Sequence, residues 1–353
     1  MRWWLFALLW LMSFPVLGAA AQHGVVILQY HHVGDDTPRV TSITAAELEA
    51  HFAYLQEHDY QVVSLQQAQQ YIASGEVPDK LVAITFDDGW RNVYDNGLAV
   101  FKRYEYPFTI FVNPQLMAET PRLYMDWEQL KELENYGATV ANHSNHHQHM
   151  TWQAPDESTG EWLARQQQDV LAAQAALMHG MGSAQPRHFA YPYGEYNPEL
   201  AEMLAEQDFI AFGQHSGPWG PETPLTEIPR FPASAQYANL KTLATKLASL
   251  PLPVLSHAPA SMVLDAEEAA DGITVQVRLK HTDDFDATQL GCFYQGERVA
   301  PKWQELTFAL QLEQLPIGRS RVNCTVPSKS EPGRFYWYSV PLVRPNDVGR
   351  WPD

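Results

Sequence analysis

Apolar runs alternate with amphipathic stretches through the first 250 residues. Val25–Tyr30, Leu81–Phe86 and Phe108–Val112 are apolar at nearly every position, not at every second one. That pattern marks strands covered on both faces, as in a parallel sheet. Shorter runs at 138–141, 189–191 and 209–212 read the same way. Between the runs lie stretches of helical spacing at 44–57, 92–104, 126–136, 161–178, 198–207 and 239–250, the first behind a Thr44 cap. Strands alternating with helices predict an α/β fold, a parallel sheet or barrel, over residues 22–250.

The pattern changes at Pro251-Leu252-Pro253, with Pro259 close behind, and predicts a linker over 251–260. Beyond it, residues 272–279 alternate with period two. Further strand-like runs follow at 291–294, 305–312, 321–326 and 335–342, separated by turn residues. Residues 261–353 therefore read as a small all-β domain, most simply a sandwich. Two domains also suit a chain of 353 residues.

Charge narrows the choice of partner. Lys plus Arg number 23 and Asp plus Glu 41, a formal charge of −18. An acidic surface of this kind repels phosphate backbones and anionic lipid, which excludes nucleic acid as an expected partner. Met1-Arg2, an apolar run over 3–17 and Gly18-Ala19-Ala20-Ala21 predict a cleavable export signal at 1–21, too short to span a membrane comfortably. A periplasmic or secreted protein without a stable membrane span is the expectation. In that compartment Cys292 and Cys324, the two cysteines of the chain, are expected to form a disulfide.

Three motifs carry chemistry. Thr85-Phe86-Asp87-Asp88-Gly89 puts two carboxylates where a buried strand ends, the place where α/β folds gather reactive groups. Adjacent side chains there diverge, so one can bind a metal while the other faces a substrate. The second motif runs Asn142-His143-Ser144-Asn145-His146-His147-Gln148-His149. His143 and His147 stand at i, i+4, and one helical turn would bring both imidazoles to one face. Two His and one carboxylate with an open position make a catalytic zinc pattern. His146 and His149 lie off that face. The third motif is Phe189-Ala190-Tyr191-Pro192-Tyr193-Gly194.

In this order and spacing the three motifs resemble those of the polysaccharide deacetylases, the NodB-homology carbohydrate esterases. The resemblance covers roughly residues 25–250, and the opening Leu28-Gln29-Tyr30-His31-His32-Val33 is similar to the subgroup acting on poly-N-acetylglucosamine, whose motif order is circularly permuted. It implies a distorted (β/α) barrel that hydrolyses N-acetyl or O-acetyl groups from sugars. By matching, Asp88, His143 and His147 would hold a divalent metal, most simply Zn²⁺, and Asp87 would be the general base. The backbone N–H of Tyr193 would stabilise the oxyanion. Acetylxylan or peptidoglycan deacetylation, and carbohydrate binding without catalysis, are the competing readings. Part of the cluster Phe335-Tyr336-Trp337-Tyr338 could then stack on sugar, although core packing is the simpler role for most of it.

One position departs from the family. An Arg that orients the base is replaced by Ala190, and Arg187 or Arg230 is the candidate substitute. The general acid is also open. Leu255-Ser256-His257 fits the family's string but falls in the expected linker, and His215 follows a short apolar strand. His31 follows the strong strand Val25–Tyr30 and is the expected acid, because a strand end holds a group more rigidly than a linker does.

Overall fold

The computed structural model describes residues 21–352. The export signal expected at 1–21 thus lies, but for Ala21, outside the described residues. Seven parallel strands form the central sheet: β1 (Val25–Tyr30), β2 (Leu81–Phe86), β3 (Phe108–Val112), β4 (Ala138–Asn142), β5 (His188–Ala190), β6 (Ile210–Phe212) and β7 (Phe231–Pro232). They stand in the order β7-β1-β2-β3-β4-β5-β6, and a two-residue strand, Gln61–Val62, also pairs with β2. Ile228 bridges to Phe212 of β6, while Phe231 pairs with Leu28 of β1. The short segment 228–232 therefore spans most of the gap between the sheet's two ends, and the result is a distorted barrel.

The continuous apolar runs have a direct cause. Along β1, Val26, Leu28 and Tyr30 pack with Leu48, Phe52 and Val93 of the surrounding helices. Val25 and Ile27 point the other way, into the barrel, against Ala83, Phe111 and Trp219. Both faces are dry, so both sets are apolar. At the C-terminal ends the interior series turns polar: Gln29 follows Ile27, and Thr85 and Asp87 follow Ala83, all three buried. Period two thus predicts that these side chains share the mouth of the barrel.

Two helices illustrate the capping rules. Ala45–Glu57 begins with a capping box between Thr44 and Glu47, as the sequence suggested. Leu65–Ser74, which periodicity did not reveal, has the same device in Ser64 and Gln67 and ends on Gly75 at φ 72°.

The C-terminal region holds a five-stranded and a four-stranded sheet. Ile273–Leu279 alternates exposed and buried residues along its length. Its buried Val275, Val277 and Leu279 share one core with Cys292, Val322 and Val340 of the other sheet, as in a sandwich. Cys292 and Cys324 are cross-strand partners with Cα atoms 4.1 Å apart and are disulfide-bonded. Tyr336 belongs to that core, whereas Trp337 packs edge-on against Phe231 of the barrel at 5.3 Å.

The stretch expected as a linker is not one. Ser249–Pro251 pairs in parallel with Phe335, Tyr336 and Trp337, and Val254–Ala258 pairs with Ile273–Leu279. Each lies at the edge of its sheet. Proline removes a ladder donor, and an edge strand has a side where that donor is not needed.

Candidate functional site

The mouth of the barrel is built around Asp87 and Asp88. Asp88 adopts φ 71° and Gly89 φ 75°, a sharp left-handed turn directly after β2. A Cβ on Gly89 would meet Val112 Cγ1 at 2.8 Å, so glycine is required here by space as well as by backbone. The turn sends the two carboxylates in different directions.

Asp87 points inward and is fully buried. Arg230, itself fully buried, grips it with two bonds, Nη1 to Oδ1 at 2.6 Å and Nη2 to Oδ2 at 2.8 Å. Gln29 Nε2 donates to Oδ2 at 2.7 Å. The guanidinium is itself fixed by the Gly213 carbonyl at 2.9 Å and Thr85 Oγ1 at 3.2 Å. Burial alone would push the Asp87 carboxyl up, but Arg230, His143 and His31 outweigh it and hold the pKa below the ordinary carboxylate value. His31 Nε2 stands 3.9 Å from Asp87 Oδ2.

Of the two candidate arginines, then, Arg230 reaches Asp87. Arg187 instead donates to the Gln207 carbonyl and lies over the Phe209 ring.

Asp88 points toward the histidines. Its Oδ1 lies 3.2 Å from His143 Nε2 and 3.2 Å from His147 Nε2, and Trp90 Nε1 donates to Oδ2 at 2.7 Å. Asp88 Oδ1 and His143 Nε2 are buried without a hydrogen-bond partner. The other nitrogen of His143, Nδ1, is bonded to the Ala190 carbonyl at 2.7 Å. A carbonyl accepts only, so Nδ1 carries the proton and Nε2 presents a lone pair toward Asp88. Two unpartnered donor atoms 3.2 Å apart suit a shared ion with ligand bonds of about 2.0–2.2 Å. The three residues therefore fit a divalent metal.

The i, i+4 spacing does not work through a helical turn. Residues 143–149 are irregular, with Ser144 at φ 66° and His147 at φ 50°. Side-chain bonds hold the loop instead: Ser144 N donates to Asn142 Oδ1, and His147 N donates to Ser144 Oγ. Asn113 donates to the carbonyls of His143 and Ser144 from the end of β3. The other two histidines of the motif go elsewhere. His146 pairs with Asp169 on the surface. His149 is buried, bonded to Glu195 Oε2 at 2.8 Å and stacked on Tyr193 with ring centres 3.9 Å apart. Tyr193 stands at φ 58° in the Pro-Tyr-Gly turn, with its ring 4.7 Å from that of His147.

A cleft of ≈ 420 Å³ opens above these groups, lined by His31, Asp88, His147, Tyr193 and His215 among others. His257 does not line it. That residue sits on Val254–Ala258, bonded through Nδ1 to Tyr338 Oη at 2.7 Å, beside a separate cavity of ≈ 240 Å³. His215 lines both spaces, and burial depresses its pKa to about 3, with His257, Arg230 and Arg321 adding to the shift.

Motif reasoning missed Gln29, Trp90, Asn113 and, from the sandwich, Arg319 and Arg321. Gln29 alone left a trace, as the one amide in the apolar run Val25–Tyr30. The sandwich residues left none, because an outward position of an alternating strand looks like ordinary solvent-facing surface.

Comparison with known proteins bears on the family and the fold. The family model for polysaccharide deacetylase matches residues 74–211. YxkH of Bacillus subtilis, which bears the same family name, is 28% identical over 184 residues, 52% of this chain and 61% of that protein. Poly-beta-1,6-N-acetyl-D-glucosamine N-deacetylase of Escherichia coli is 24% identical over 262 residues, 64% of this chain and 38% of that protein. The chain thus spans less than two thirds of the length of these curated relatives. Among solved structures, IcaB from Ammonifex degensii superposes with a TM-score of 0.55 at 26% identity, covering 64% of this chain and 97% of that one. The Streptococcus pyogenes deacetylase PplD, at 19% identity and a TM-score of 0.56, covers 64% of this chain and 98% of its own and shares the fold. The strand-end carboxylates, the histidine loop and the Pro-Tyr-Gly turn thus sit on a scaffold of known kind, and residues 74–211 of the chain are similar to the polysaccharide deacetylase family.

Proposed function

We propose that this chain is a metal-dependent hydrolase that removes acetyl groups from a polysaccharide, in the first place N-acetyl groups from an N-acetylglucosamine polymer. The observation that carries the reading is the meeting of Asp88, His143 and His147 at ligand distance beside an Asp87 locked by Arg230. The relatives named for poly-beta-1,6-N-acetyl-D-glucosamine point to the polymer. The two-His, one-carboxylate set suits Zn²⁺ best.

A divalent ion held by Asp88, His143 and His147 supplies Lewis-acid polarisation of the acyl oxygen and acidifies water. The chain's own residues do the rest. Asp87 is the base: Arg230 keeps it ionised and aimed, and Oδ1 accepts a single bond, which leaves a lone pair for a proton from water. As water adds to the acetyl carbon, the backbone N–H of Tyr193 donates to the developing oxyanion. His31, at the cleft wall, gives its proton to the sugar nitrogen as the C–N bond breaks, and acetate and a free amine leave. Its position beside Asp87 lets the pair exchange the proton that resets both groups.

The reading also includes export. The disulfide supports an oxidising compartment, and no helix among the described residues is long and apolar enough to cross a membrane.

The test is acetate release from a panel containing poly-N-acetylglucosamine, acetylxylan and peptidoglycan, with and without a chelator. Chelator-sensitive release from the first is expected. Release unaffected by complete metal removal would refute the metal reading, and preference for another glycan would replace the substrate.

A further inference from the structure

Arg319, Ser320 and Arg321 belong to the sandwich strand Gly318–Pro327, yet they line the cleft that contains Asp88 and His147. The same three residues line a second depression of ≈ 480 Å³ that continues outward over Gln295, Gly296 and Asn323. The cleft therefore does not end at the barrel. Its far wall is the β domain, and its floor runs on across that domain's surface.

Hydrogen-bond donors dominate this extension. Two guanidiniums, two carboxamides and a hydroxyl line it, and no carboxylate does. Arg319 is partly neutralised by the buried Glu195, with Nη1 3.1 Å from Oε1, and its guanidinium lies 5.4 Å from the Tyr193 ring. Arg321 makes no ion pair among the described residues, and its nearest polar contact is Tyr237 Oη at 3.5 Å. In a chain of net charge −18, an unpaired arginine beside the reacting groups is a local reversal of sign. Ser320 Oγ is buried there without a partner.

We propose that this depression is a subsite for a further sugar unit of the glycan, which it reads through the acetamide carbonyl, and that it rejects units whose amine is already free. The inference rests on the deacetylase reading of the cleft and names what the next unit must carry. A carbonyl oxygen accepts from Arg321, Asn323 or Gln295. The ammonium left by deacetylation has only donors to offer, and it meets the unpaired Arg321 and the partly neutralised Arg319, with no carboxylate lining the depression. The product of one turnover is thus a poor neighbour for the next, so the chain deacetylates scattered units and leaves acetylated ones between them.

Binding to the full chain carrying Asp87→Asn, which leaves oligomers intact, tests this. The probes are a fully acetylated β-1,6-linked glucosamine tetramer and one acetylated on a single terminal unit. The acetylated tetramer is expected to bind roughly three- to tenfold tighter, the range for a partly exposed pair of like charges avoided and one hydrogen bond gained. Arg321→Gln should bring the ratio close to one, and Arg321→Lys, which keeps the charge, should preserve most of it. Should Asp87→Asn fold poorly, the same ratio is read from kcat/KM for acetate release by the native chain and its Arg321 variants. Equal affinity for both tetramers, a ratio untouched by Arg321→Gln, or tighter binding of a carboxylated oligomer than of the acetylated one would overturn the proposal. Absence of acetate release from any glycan would sink the deacetylase reading instead, and the binding ratio would still decide the subsite.

Discussion

The barrel and the sandwich each bury an apolar core but expose chemistry in different ways. In the barrel the long central strands are dry on both faces, so polar groups gather where those strands end. Gln29 and Thr85 are the last interior positions of their strands, Asp87 follows directly after β2, and Arg230 comes from the segment that nearly closes the sheet. In the sandwich, strands such as Ile273–Leu279 and Gly318–Pro327 are dry on one face only, and the other face stays partly open to solvent. Arg319 and Arg321 reach the cleft from the outward face of Gly318–Pro327, flanking positions that point to solvent elsewhere. A parallel barrel concentrates function at one rim, whereas a sandwich can lend a strip of surface to a neighbour's site.

The sharpest way to break this comparison is at Asp87. Asp87→Asn keeps the shape but cannot accept a proton, and acetate release should fall by about 10³-fold or more while metal content stays at the native level. Loss of metal together with activity would make Asp87 a ligand and undo the division of roles between the two carboxylates. Next comes its partner. Arg230→Ala leaves a buried carboxylate unpaired and should cost about 3–5 kcal/mol of stability, read from chemical denaturation. A cost below 1 kcal/mol would mean that the Asp87 carboxylate is compensated without Arg230 and that the barrel mouth is not the network described. The sandwich has its own counterpart. Removing the Cys292–Cys324 bridge, which spans 32 residues, should cost about 3–4 kcal/mol without touching the metal ligands. Metal affinity that falls with the bridge would show that the β domain also shapes the ligand set.

A smaller effect separates the histidines. His31→Ala should lower turnover by about 10²-fold at constant metal content, and His257→Ala should leave it nearly unchanged. The reverse result would move the general acid out of the cleft and into the interdomain cavity beside Tyr338.

Most of the barrel was legible because its strands are continuous apolar runs bounded by turn residues. Val25–Tyr30, Leu81–Phe86 and Phe108–Val112 stand where the pattern put them. The motif residues were legible as a set, and the structure gathers Asp87, Asp88, His143, His147 and Tyr193 at one mouth. The local route was not. A turn with Ser144 and His147 at positive φ also joins residues four apart, and side-chain bonds, not helical periodicity, set it up. The prolines at 251–259 were read as a break because proline spoils a central strand, but Ser249–Pro251 and Val254–Ala258 are edge strands, where the missing donor costs little. Leu65–Ser74 escaped because its apolar face is narrow, although Ser64 and Gln67 announced its start. The choice of Arg230 over Arg187, and the reach of Arg319 and Arg321 into the cleft, depend on contacts between distant segments that no local pattern encodes.

The central claim is that Asp88, His143 and His147 form one metal centre on which acetate release depends. Metal content per chain, measured alongside acetate release for the native protein and for His143→Ala and His147→Ala, tests it most directly. The account predicts one divalent ion per native chain, with ion and activity lost together in both variants. Stoichiometric metal retained in both variants, or full acetate release from metal-free protein, would contradict it.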